Sequence, residues 1–453
     1  MPTADYTLIS LFTGAGGLDL GLEEAGFKTL LANEIDPDAC ETLRQNQILN
    51  RQDKSKFDAW FAEQTNQRCY KGVDPSTISQ LRLRLLNTKN KKSYLEGTKI
   101  LEKDIRDMTS KEVLKFAGKK RGDVDLIAGG PPCQPFSRAG KRESVKSATG
   151  RLFKEFVRIV ADVRPRWFLF ENVKGLIITK TPLAFVNCKD CKKDFATRFD
   201  DWERLHNEKV KTVKCYHCGS TKTNVTWENK AGGSLEIIKK EFESIGYKCS
   251  YKVLNAADFG APQSRERLFI IGTRENENFT WPDPVYAKPT KDTENLLFDL
   301  EKLKPWRTMR EALWPNGHWK YGKLGKEAVL WVKNVVRPHD EPVTWLLDRP
   351  SPTIGAHQGA KLALAPFGVP QAQIERQQWH TLGHRQGDTP PVNVEHEYLT
   401  DSELLTLQTF PDRWYLHGTR MERSFQIGNA VPPALACAIG RAIITAIRSK
   451  HKS

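Results

Sequence analysis

The chain has 453 residues, 39% of them hydrophobic, and its mean hydropathy is −0.54. Its 70 Lys and Arg residues exceed its 55 Asp and Glu residues, so its formal net charge of +15 favours a polyanionic partner such as nucleic acid. This composition is typical of a folded globule, and without a run of about 18 apolar residues we expect no membrane span.

The N-terminus lacks the basic and apolar regions of a secretory signal peptide. It reads MPTADYTLISLFTGAGG, and its apolar run ends in a glycine loop. We therefore expect a cytoplasmic protein. In a reducing compartment, nine cysteines indicate metal ligands or a nucleophile rather than disulfides.

Strands and helices are predicted to alternate from residue 6 to about residue 274. Residues 6–12 form the first strand, GAGG turns the chain, and LDLGLEEAGF continues at helical spacing. Further strands are predicted in KTLLANEID, KILEKDIRDM, VDLIAGGPP and RWFLFENV, with a final strand pair in YKVLNA and RLFIIGTR. This alternation predicts a parallel, doubly wound α/β sheet.

Two insertions interrupt this pattern, and a third region follows it. Residues 50–98 combine basic residues with helical apolar spacing, which predicts a helical insertion that is either a solvated surface or a nucleic-acid contact. Residues 181–230 form the second insertion. Residues 275–395 are rich in Pro, Trp, Gly and His, which predicts a separate irregular module. Regular structure should return near residue 396 and end in the helix PPALACAIGRAIITAI.

The first glycine loop and two later acids predict a site for a nucleoside-type cofactor. The glycines of GAGG lie between a strand and a helix, where the backbone can approach a ligand, although a tight turn has the same pattern. Glu34 ends the next strand, where a carboxylate can accept both ribose hydroxyls. Asp104 follows the third strand and could accept an exocyclic amine, with Ile105 against the base.

Cys133 follows the fourth predicted strand, in GGPPCQPFS, at the same edge as the glycine loop. Pro131 and Pro132 stiffen the backbone before it, which suits an aimed nucleophile, and the basic residues after it favour the thiolate. A packed, inert thiol is the alternative. Glu171 ends the next strand and could protonate a ring nitrogen, so the pair predicts attack on an electron-poor pyrimidine.

Six ordered motifs resemble those of the DNA cytosine-5 methyltransferase family: FTGAGG, GGPPCQPFS, ENV, QSRERLFIIGTR, LTDSELLTLQTFPD and SFQIGNAVPP. They cover most of residues 7–180, 232–274 and 396–447. The resemblance implies a Rossmann-like class I methyltransferase fold with a mixed, mostly parallel sheet. A smaller irregular target-recognition domain and a zinc-ribbon-like insertion would be added to this α/β fold.

The resemblance implies a cofactor site and a catalytic pair. S-adenosylmethionine would be bound by Phe12, Gly14, Gly16, Gly17, Leu18, Glu34, Ile35, Asp104, Ile105, Pro132, Asn429 and Val431. Cys133 would add to carbon 6 of cytosine while Glu171 holds ring nitrogen 3. Carbon 5 would then take the methyl group, lose its proton and release the thiolate.

The resemblance also implies contacts with the target base and with double-stranded DNA. Arg265 and Arg267 match arginines near the target base, with surface salt bridges as the alternative. Members of the family flip the target base out of the duplex. Gln134, Ser137 and Arg138 would therefore contact the DNA around the position that the base has left.

In this family, target recognition lies between QSRERLF and LTDSELL, which here are separated by residues 275–395. The catalytic domain would then comprise residues 1–274 and 396–453. Candidates for phosphate or base-edge contacts, each with a solvated surface as the alternative, are Arg307, Arg310, His357, Gln358, Arg376 and Arg385.

The insertion at residues 181–230 contains two Cys-x-x-Cys pairs. Four thiolates from Cys188, Cys191, Cys215 and Cys218 would suit one tetrahedral structural zinc, with a redox or fortuitous arrangement as the alternative. The common family core lacks this insertion, so a DNA-contacting ribbon and a structural staple are both open. Packing is expected for the remaining cysteines Cys40, Cys69, Cys249 and Cys437.

Other functions are less consistent with the motifs. An RNA cytosine methyltransferase would have a short recognition segment with a Cys-Phe-Thr tripeptide, an inactive relative would have lost the cysteine or the ENV acid, and amino-group methylation would need a DPPY-type motif. We therefore expect a DNA (cytosine-5-)-methyltransferase that belongs to a bacterial restriction-modification system. It would act as a monomer on DNA in the cytoplasm, associated with the nucleoid, with a cognate restriction endonuclease acting separately.

Overall fold

The computed structural model describes residues 6–67, 70, 75–86, 93–132, 152–208, 210–275, 277–289, 303–314, 329–332, 344–356, 362–365 and 397–450. The strands are β1 (Tyr6–Leu11), β2 (Phe27–Glu34), β3 (Lys99–Glu102), β4 (Leu126–Gly129), β5 (Trp167–Val173), β6 (Lys180–Cys188), β7 (Asp194–Ala196), β8 (Thr223–Ala231), β9 (Lys248–Asn255), β10 (Glu266–Thr273), β11 (Tyr286–Ala287), β12 (Lys304–Pro305), β13 (Val329–Val332), β14 (Thr344–Leu346), β15 (Leu362–Ala365) and β16 (Glu397–Tyr398).

The α-helices are α1 (Gly17–Ala25), α2 (Pro37–Arg51), α3 (Lys54–Thr65), α4 (Pro75–Leu86), α5 (Ser110–Ala117), α6 (Leu152–Val163), α7 (Gly175–Ile178), α8 (Phe199–Asn207), α9 (Gly233–Ser244), α10 (Met309–Leu313), α11 (Asp401–Leu407), α12 (Arg420–Asn429) and α13 (Pro433–Lys450). Two 3-10 turns cover Ile105–Asp107 and Ala256–Phe259.

The largest sheet among the described residues has seven strands, in the order β3-β2-β1-β4-β5-β10-β9. Strands β1 to β5 are parallel, and β10 is antiparallel to both of its neighbours. Helices connect the parallel strands. This mixed, mostly parallel sheet confirms the predicted Rossmann-like class I methyltransferase fold.

Helices α1 and α13 pack closely because small residues line their contact. A Cβ atom on Gly21 would lie 2.3 Å from the carbonyl oxygen of Pro433, and one on Gly440 would lie 2.7 Å from the Cβ of Ala25. Neither glycine has room for a side chain without movement of a neighbour. This close contact holds α13 against α1, which is the helix that follows the first glycine loop.

The apolar C-terminal helix is a core element. The stretch Arg420–Ser449 is long and apolar enough to span a membrane, but 72% of its apolar window is buried inside the protein. Leu435, Ile439 and Ile443 are fully buried in one cluster with residues of β1, β4 and β10. Packing against the sheet accounts for the hydropathy of this helix.

Residues 50–98 contain helices α3 and α4, which have an aromatic core of their own. Phe57, Trp60 and Leu85 pack with Tyr415 from the C-terminal segment. Arg84 donates a hydrogen bond to the carbonyl oxygen of Pro411 at 3.1 Å. The described part of this insertion is thus attached to the chain that precedes α12.

The second insertion forms a three-stranded antiparallel sheet, β7-β6-β8, with α8 beside it. Leu183, Phe199 and Trp202 join the large hydrophobic cluster that also contains residues of α6 and α9. The insertion is therefore packed on helices α6 and α9 rather than separate from them.

The described residues between 275 and 395 contribute short elements. Strand β13 lies between β14 and β15, and β16 pairs with β15 at the edge. Leu330, Leu347 and Leu364 share a hydrophobic cluster with Leu404 and Leu405 of α11. This cluster joins these short elements to the C-terminal part of the chain.

Candidate active site

The predicted functional residues lie after the carboxyl ends of the parallel strands. Leu11, at the end of β1, pairs with Asn33 of β2 and with Gly129 of β4. Gly129 pairs with Phe170 of β5, one residue before Glu171. The strand order reverses between β1 and β4, and open α/β sheets bind ligands at such a switch point. The loops after β1 and β4 therefore border one crevice.

The loop after β1 has an unusual backbone conformation. Phe12 has a φ of 56°, and Gly14 and Gly16 have φ values of 55° and 83°. A positive φ is energetically unfavourable for phenylalanine, so the residues around Phe12 must hold this backbone conformation in place. The N–H of Thr13 donates to the carbonyl oxygen of Asn33 at 3.1 Å, which joins this loop to β2.

The carboxylate of Glu34 is positioned by backbone donors. Oε2 accepts a hydrogen bond from the N–H of Gly14 at 2.7 Å, and Oε1 accepts from the N–H groups of Ile35 and Asp36 at 2.8 and 3.0 Å. Ile35 is 58% exposed although it is apolar. The end of β2 thus places an oriented carboxylate and an exposed apolar side chain beside the glycine loop.

The start of α1 packs against the segment that follows α12. A Cβ atom on Gly17 would lie 2.4 Å from the carbonyl oxygen of Val431 and 3.1 Å from the ring of Phe410. Leu18 and Val431 are buried, whereas Asn429 is exposed. Two widely separated motifs, GAGG and GNAV, are therefore in contact.

Asp104 has local partners in the 3-10 turn after β3. Its carboxylate accepts from the backbone N–H of Arg106 at 2.9 Å and from Nε of that residue at 3.0 Å. The Arg106 guanidinium holds the pKa of Asp104 below its ordinary value. Ile105 is buried and Pro132 is exposed. The contacts of Asp104 are those of a cap, which would compete with an exocyclic amine for the carboxylate.

Glu171 is a buried acid with one charged partner. Its Oε1 lies 3.1 Å from Nε of Arg267, and the two side chains are 11% and 13% exposed. Burial raises the pKa of Glu171 above its ordinary value, and the positive charges of Arg267 and Arg265 only oppose this shift. A carboxyl in this environment can hold a proton and donate it to a ring nitrogen.

The peptide before Cys133 is attached to the strand that carries Glu171. Nδ2 of Asn172 donates to the carbonyl oxygen of Pro131 at 3.0 Å. A Cβ atom on Gly130 would lie 2.5 Å from Oε2 of Glu171, so a side chain at this position would displace that carboxylate from its present place. No role was predicted from the sequence for either Asn172 or Gly130. Their places in the motifs ENV and GGPP, next to the predicted site residues, were the signal that could have indicated a role.

Arg265 connects three segments of the chain. Its guanidinium donates from Nη1 to the carbonyl oxygen of Ile354 at 3.0 Å and from Nη2 to that of Gly428 at 2.7 Å. Its own backbone N–H donates to Oδ1 of Asn255 at 3.0 Å. The side chain is 0% exposed, so Arg265 is not the surface salt bridge that sequence reasoning held as the alternative.

A buried acid in α1 also escaped the sequence reasoning. Asp19 is 1% exposed, and burial raises its pKa to about 7, although the side chain of Ser10 opposes the shift. Ser10 also accepts a hydrogen bond from the Thr13 hydroxyl at 2.9 Å, which links this group to the glycine loop. The position of Asp19 among leucines in LDLGL was the signal for burial.

Several predicted residues lie outside the described part of the chain. They are Cys69, Cys133, Gln134, Ser137, Arg138, His357, Gln358, Arg376 and Arg385. Of the other recognition candidates, Nε of Arg310 lies 2.6 Å from Oδ1 of Asp348. Arg307 is exposed and donates to the carbonyl oxygen of Gly260 at 3.3 Å.

The four predicted metal ligands come together. The sulfur atoms of Cys188, Cys191, Cys215 and Cys218 all lie within 4.8 Å of one another. Two of the separations are 3.6 Å. Tetrahedral zinc with Zn–S bonds of about 2.3 Å requires sulfur atoms about 3.8 Å apart, so the cluster fits one ion. Cys40 and Cys437 are buried elsewhere, and Cys249 is partly buried.

Comparison with known proteins gives one matching family. A family model described as C-5 cytosine-specific DNA methylase matches residues 6–66, 84–203 and 225–445. The unmatched residues between these ranges belong to the two insertions.

Curated relatives and solved structures are similar along most of the chain. Type II methyltransferase M.AquIA from Picosynechococcus is 31% identical over 68% of this chain and 87% of its own length. Type II methyltransferase M.FnuDI from Fusobacterium nucleatum is 27% identical over 98% and 96%. The crystal structure of the Dnmt2 methyltransferase from S. pombe is 16% identical over 99% of both chains, with a TM-score of 0.47.

Proposed function

The chain belongs to the C-5 cytosine-specific DNA methylase family and is a DNA (cytosine-5-)-methyltransferase, and from this premise we propose that Cys133 and Glu171 are its catalytic pair. The observation that carries this proposal is the environment of Glu171. A buried carboxyl with a raised pKa lies beside Arg267, on the strand that holds the peptide leading to Cys133.

S-adenosylmethionine would be held at the ends of β1, β2 and β3. The fit rests on the oriented carboxylate of Glu34, the glycine loop with its positive φ values and the exposed apolar side chain of Ile35. A carboxylate suits ribose hydroxyls, and an exposed apolar side chain suits an adenine face. When bound, this cofactor supplies an electrophilic methyl group. Further proposed contacts are Phe12, Gly16, Gly17, Leu18, Asp104, Ile105, Pro132, Asn429 and Val431.

Proton control at the cytosine would come from Glu171. The thiolate of Cys133 forms a bond to carbon 6, and the carboxyl of Glu171 donates its proton to ring nitrogen 3. The ring electrons then make carbon 5 nucleophilic, so that it accepts the methyl group. A base removes the proton from carbon 5, and the electrons of that bond form the ring double bond as the bond between carbon 6 and sulfur breaks. The thiolate is thereby released, and ring nitrogen 3 returns its proton to the carboxylate of Glu171.

The guanidinium of Arg267 would hold the Glu171 carboxyl in place for this step. Its Nε atom is within hydrogen-bonding distance of Oε1, while Oε2 lies toward Gly130. Gln134, Ser137 and Arg138 are proposed as contacts with the DNA around the flipped base. Recognition of the sequence is proposed for residues 275–395, with residues 1–274 and 396–453 as the catalytic domain.

Methyl transfer from labelled S-adenosylmethionine to DNA, followed by bisulfite sequencing, tests this proposal. The wild-type protein should label carbon 5 of cytosines in one sequence context, whereas Cys133→Ala should label none. A duplex with 5-fluorocytosine should remain covalently attached to the wild-type protein, because fluorine at carbon 5 cannot leave as a cation. Cys249→Ala, a change outside the site, is the matched control.

Full activity of Cys133→Ala would overturn the catalytic pair. Label on RNA and not on DNA would instead favour the RNA methyltransferase alternative. The family model and the names of the curated relatives support DNA as the substrate.

A role in a restriction-modification system is supported by the relatives, which are named Type II methyltransferases. We propose that the protein modifies the DNA of its host in the bacterial cytoplasm, on the nucleoid, and acts as a monomer. A cognate endonuclease that cleaves the same unmethylated sequence would act separately. DNA treated with the enzyme should resist that endonuclease.

One structural zinc is proposed for the four-cysteine cluster. The sulfur separations and the all-thiolate ligand set support zinc over a harder cation. The ion would join the end of β6 to the chain before β8, and it would have no part in methyl transfer.

A further inference from the structure

The two Cys-x-x-Cys loops present a strongly basic surface. We define this knuckle surface as residues 188–193 and 211–222. It contains one acid, Asp190, and six exposed lysines, which are Lys189, Lys192, Lys193, Lys211, Lys214 and Lys222.

Local ion pairs leave most of this charge uncompensated. Nζ of Lys222 lies 3.9 Å from Oδ1 of Asp190, and this carboxylate also accepts a hydrogen bond from Ser220 at 2.6 Å. Among the described residues, the other five lysines form no salt bridge. A zinc ion held by four thiolates has a formal charge of about −2, which together with Asp190 offsets only part of the charge of the six lysines. The surface therefore stays positive, and a polyanion would neutralise the remaining charge.

The insertion that carries this surface is attached at the active-site edge of the sheet. It begins after α7, which directly follows the strand containing Glu171. Its helix α8 contacts the start of α6, where the rings of Phe153 and Phe199 lie 5.1 Å apart. Nζ of Lys154 lies 3.0 Å from Oδ1 of Asp200. Helix α6 connects β4 to β5, so the insertion packs beside the connection between the two strands that end at Gly129 and carry Glu171.

The length of β6 limits how far the surface can reach. Strand β6 spans Lys180–Cys188, and at about 3.3 Å per residue its two ends are about 26 Å apart. That distance corresponds to roughly eight base pairs of B-DNA. The knuckle surface is therefore suited to DNA that flanks the target cytosine rather than to the flipped base.

From these observations we propose that the knuckle surface binds the phosphate backbone of DNA flanking the target site. The inference rests on the proposed function, since it supplies a further contact to the same substrate. Part of the surface lies outside the family model, because residues 211–222 fall in the unmatched gap, whereas residues 188–193 fall in the matched range 84–203. Lysine is suited to this role as a point charge without base specificity.

The salt dependence of DNA binding tests this proposal. The equilibrium Kd of the zinc-loaded protein for a long duplex of arbitrary sequence is measured from low to moderate KCl concentration. In Lys189→Ala/Lys192→Ala/Lys193→Ala, the slope of log K against log salt should become shallower by about 2 to 3, because each lost phosphate contact removes about 0.9. The matched control changes Lys115, Lys119 and Lys120 to Ala, near the opposite edge of the sheet, and should keep the wild-type slope.

Two further measurements keep the proposal falsifiable. The variant Lys189→Arg/Lys192→Arg/Lys193→Arg retains the charge and should restore the slope. In the wild-type protein, DNA should protect these three lysines from chemical acetylation, which is read by mass spectrometry and does not depend on any variant folding.

An unchanged slope together with unprotected lysines would overturn the inference and leave the insertion as a structural staple. That result would not affect the proposed function if the wild-type protein still methylates cytosine. Conversely, DNA binding without any methyl transfer would contradict the proposed function and leave the knuckle contact standing.

Discussion

Glu171 illustrates how a single residue acquires a chemical role from its surroundings. In water its carboxyl would be ionised at neutral pH, and an adjacent arginine would keep it so. Burial acts in the opposite direction and prevails, because the pKa of Glu171 is raised despite Arg267 at 3.1 Å. Burial and the charge of Arg267 together give a carboxyl that can donate a proton while Arg267 keeps it oriented.

We expect Glu171→Gln to slow methyl transfer by roughly 10²- to 10⁴-fold, the usual contribution of a general acid. Binding of S-adenosylmethionine should be unchanged, because Glu171 lies on β5 and not on the cofactor loop. Single-turnover methylation and cofactor titration measure the two effects. The matched control is Glu266→Gln, which removes an exposed carboxylate whose partner is Lys174.

The same residue predicts a pH dependence. A general acid must be protonated, so the single-turnover rate should fall as pH rises through the raised pKa of Glu171. This fall should lie at higher pH than for an ordinary glutamic acid, and it should be absent from the residual activity of Glu171→Gln. A wild-type profile that is flat over the range of the raised pKa would contradict the assignment.

At the scale of elements, the cysteine-bearing insertion depends on a join between strands β6 and β8. Cys188 ends β6, and Cys215 and Cys218 precede β8. Trp202 of α8 donates from Nε1 to the carbonyl oxygen of Pro182 at 2.7 Å, and β6 pairs with β8 along its whole length, so the sheet has support besides the cluster. A metal at the cluster would therefore stabilise chiefly the two cysteine loops and the strand ends beside them.

Removal of zinc should unfold the two cysteine loops and loosen the strand ends beside them before the rest of the protein changes. Cys191→Ser should lower the metal content from about one equivalent per chain to less than half, and it should increase amide hydrogen exchange in β6 and β8. Exchange in β1 and β4 should stay at the wild-type level. Metal analysis and hydrogen-exchange mass spectrometry measure these changes.

The control for this experiment is Cys249→Ser, which alters a cysteine on β9 outside the cluster. It should retain one equivalent of zinc. Wild-type protein that purifies gently with no zinc and still protects β6 and β8 would refute the structural metal.

For the molecule as a whole, Arg265 holds distant parts of the chain together. Its two donated hydrogen bonds reach the segment at Ile354 and the end of α12 at Gly428. A Cβ atom on Gly428 would lie 2.4 Å from the backbone of Ala356, so these two segments are in close contact there. The guanidinium therefore satisfies carbonyl groups where a segment of the proposed recognition region meets the end of α12.

We expect Arg265→Lys to destabilise the protein by about 1 to 3 kcal/mol, because one ammonium group cannot replace both planar donors and a buried carbonyl is left unpaired. Its Tm should fall together with its activity. In contrast, Arg267→Lys should lower the methylation rate with little change in Tm. A normal Tm for Arg265→Lys with lost activity would indicate that Arg265 contacts the target base instead.

Much of the catalytic part could be predicted from sequence because its signals are local. The glycines of GAGG and the acid at Glu34 follow strands with strong apolar patterns, and parallel strands bring such loops to one edge. The close sulfur atoms of the cysteine cluster were likewise predictable from two short motifs. Asp104 was harder, since its competing contact with Arg106 depends on the local turn.

The sequence by itself determined the alternation of strands and helices, the order of the six motifs and the residues that can do chemistry. Those features depend on periodicity and residue type, which are local properties of the chain. Only the tertiary structure decided that Asn172 anchors Pro131, that Gly130 makes room for Glu171, that Arg265 ties Ile354 to Gly428 and that the lysines of the cysteine loops share one surface. Burial, pKa and charge density arise from neighbours that are distant in sequence, so they exist only once the chain has folded.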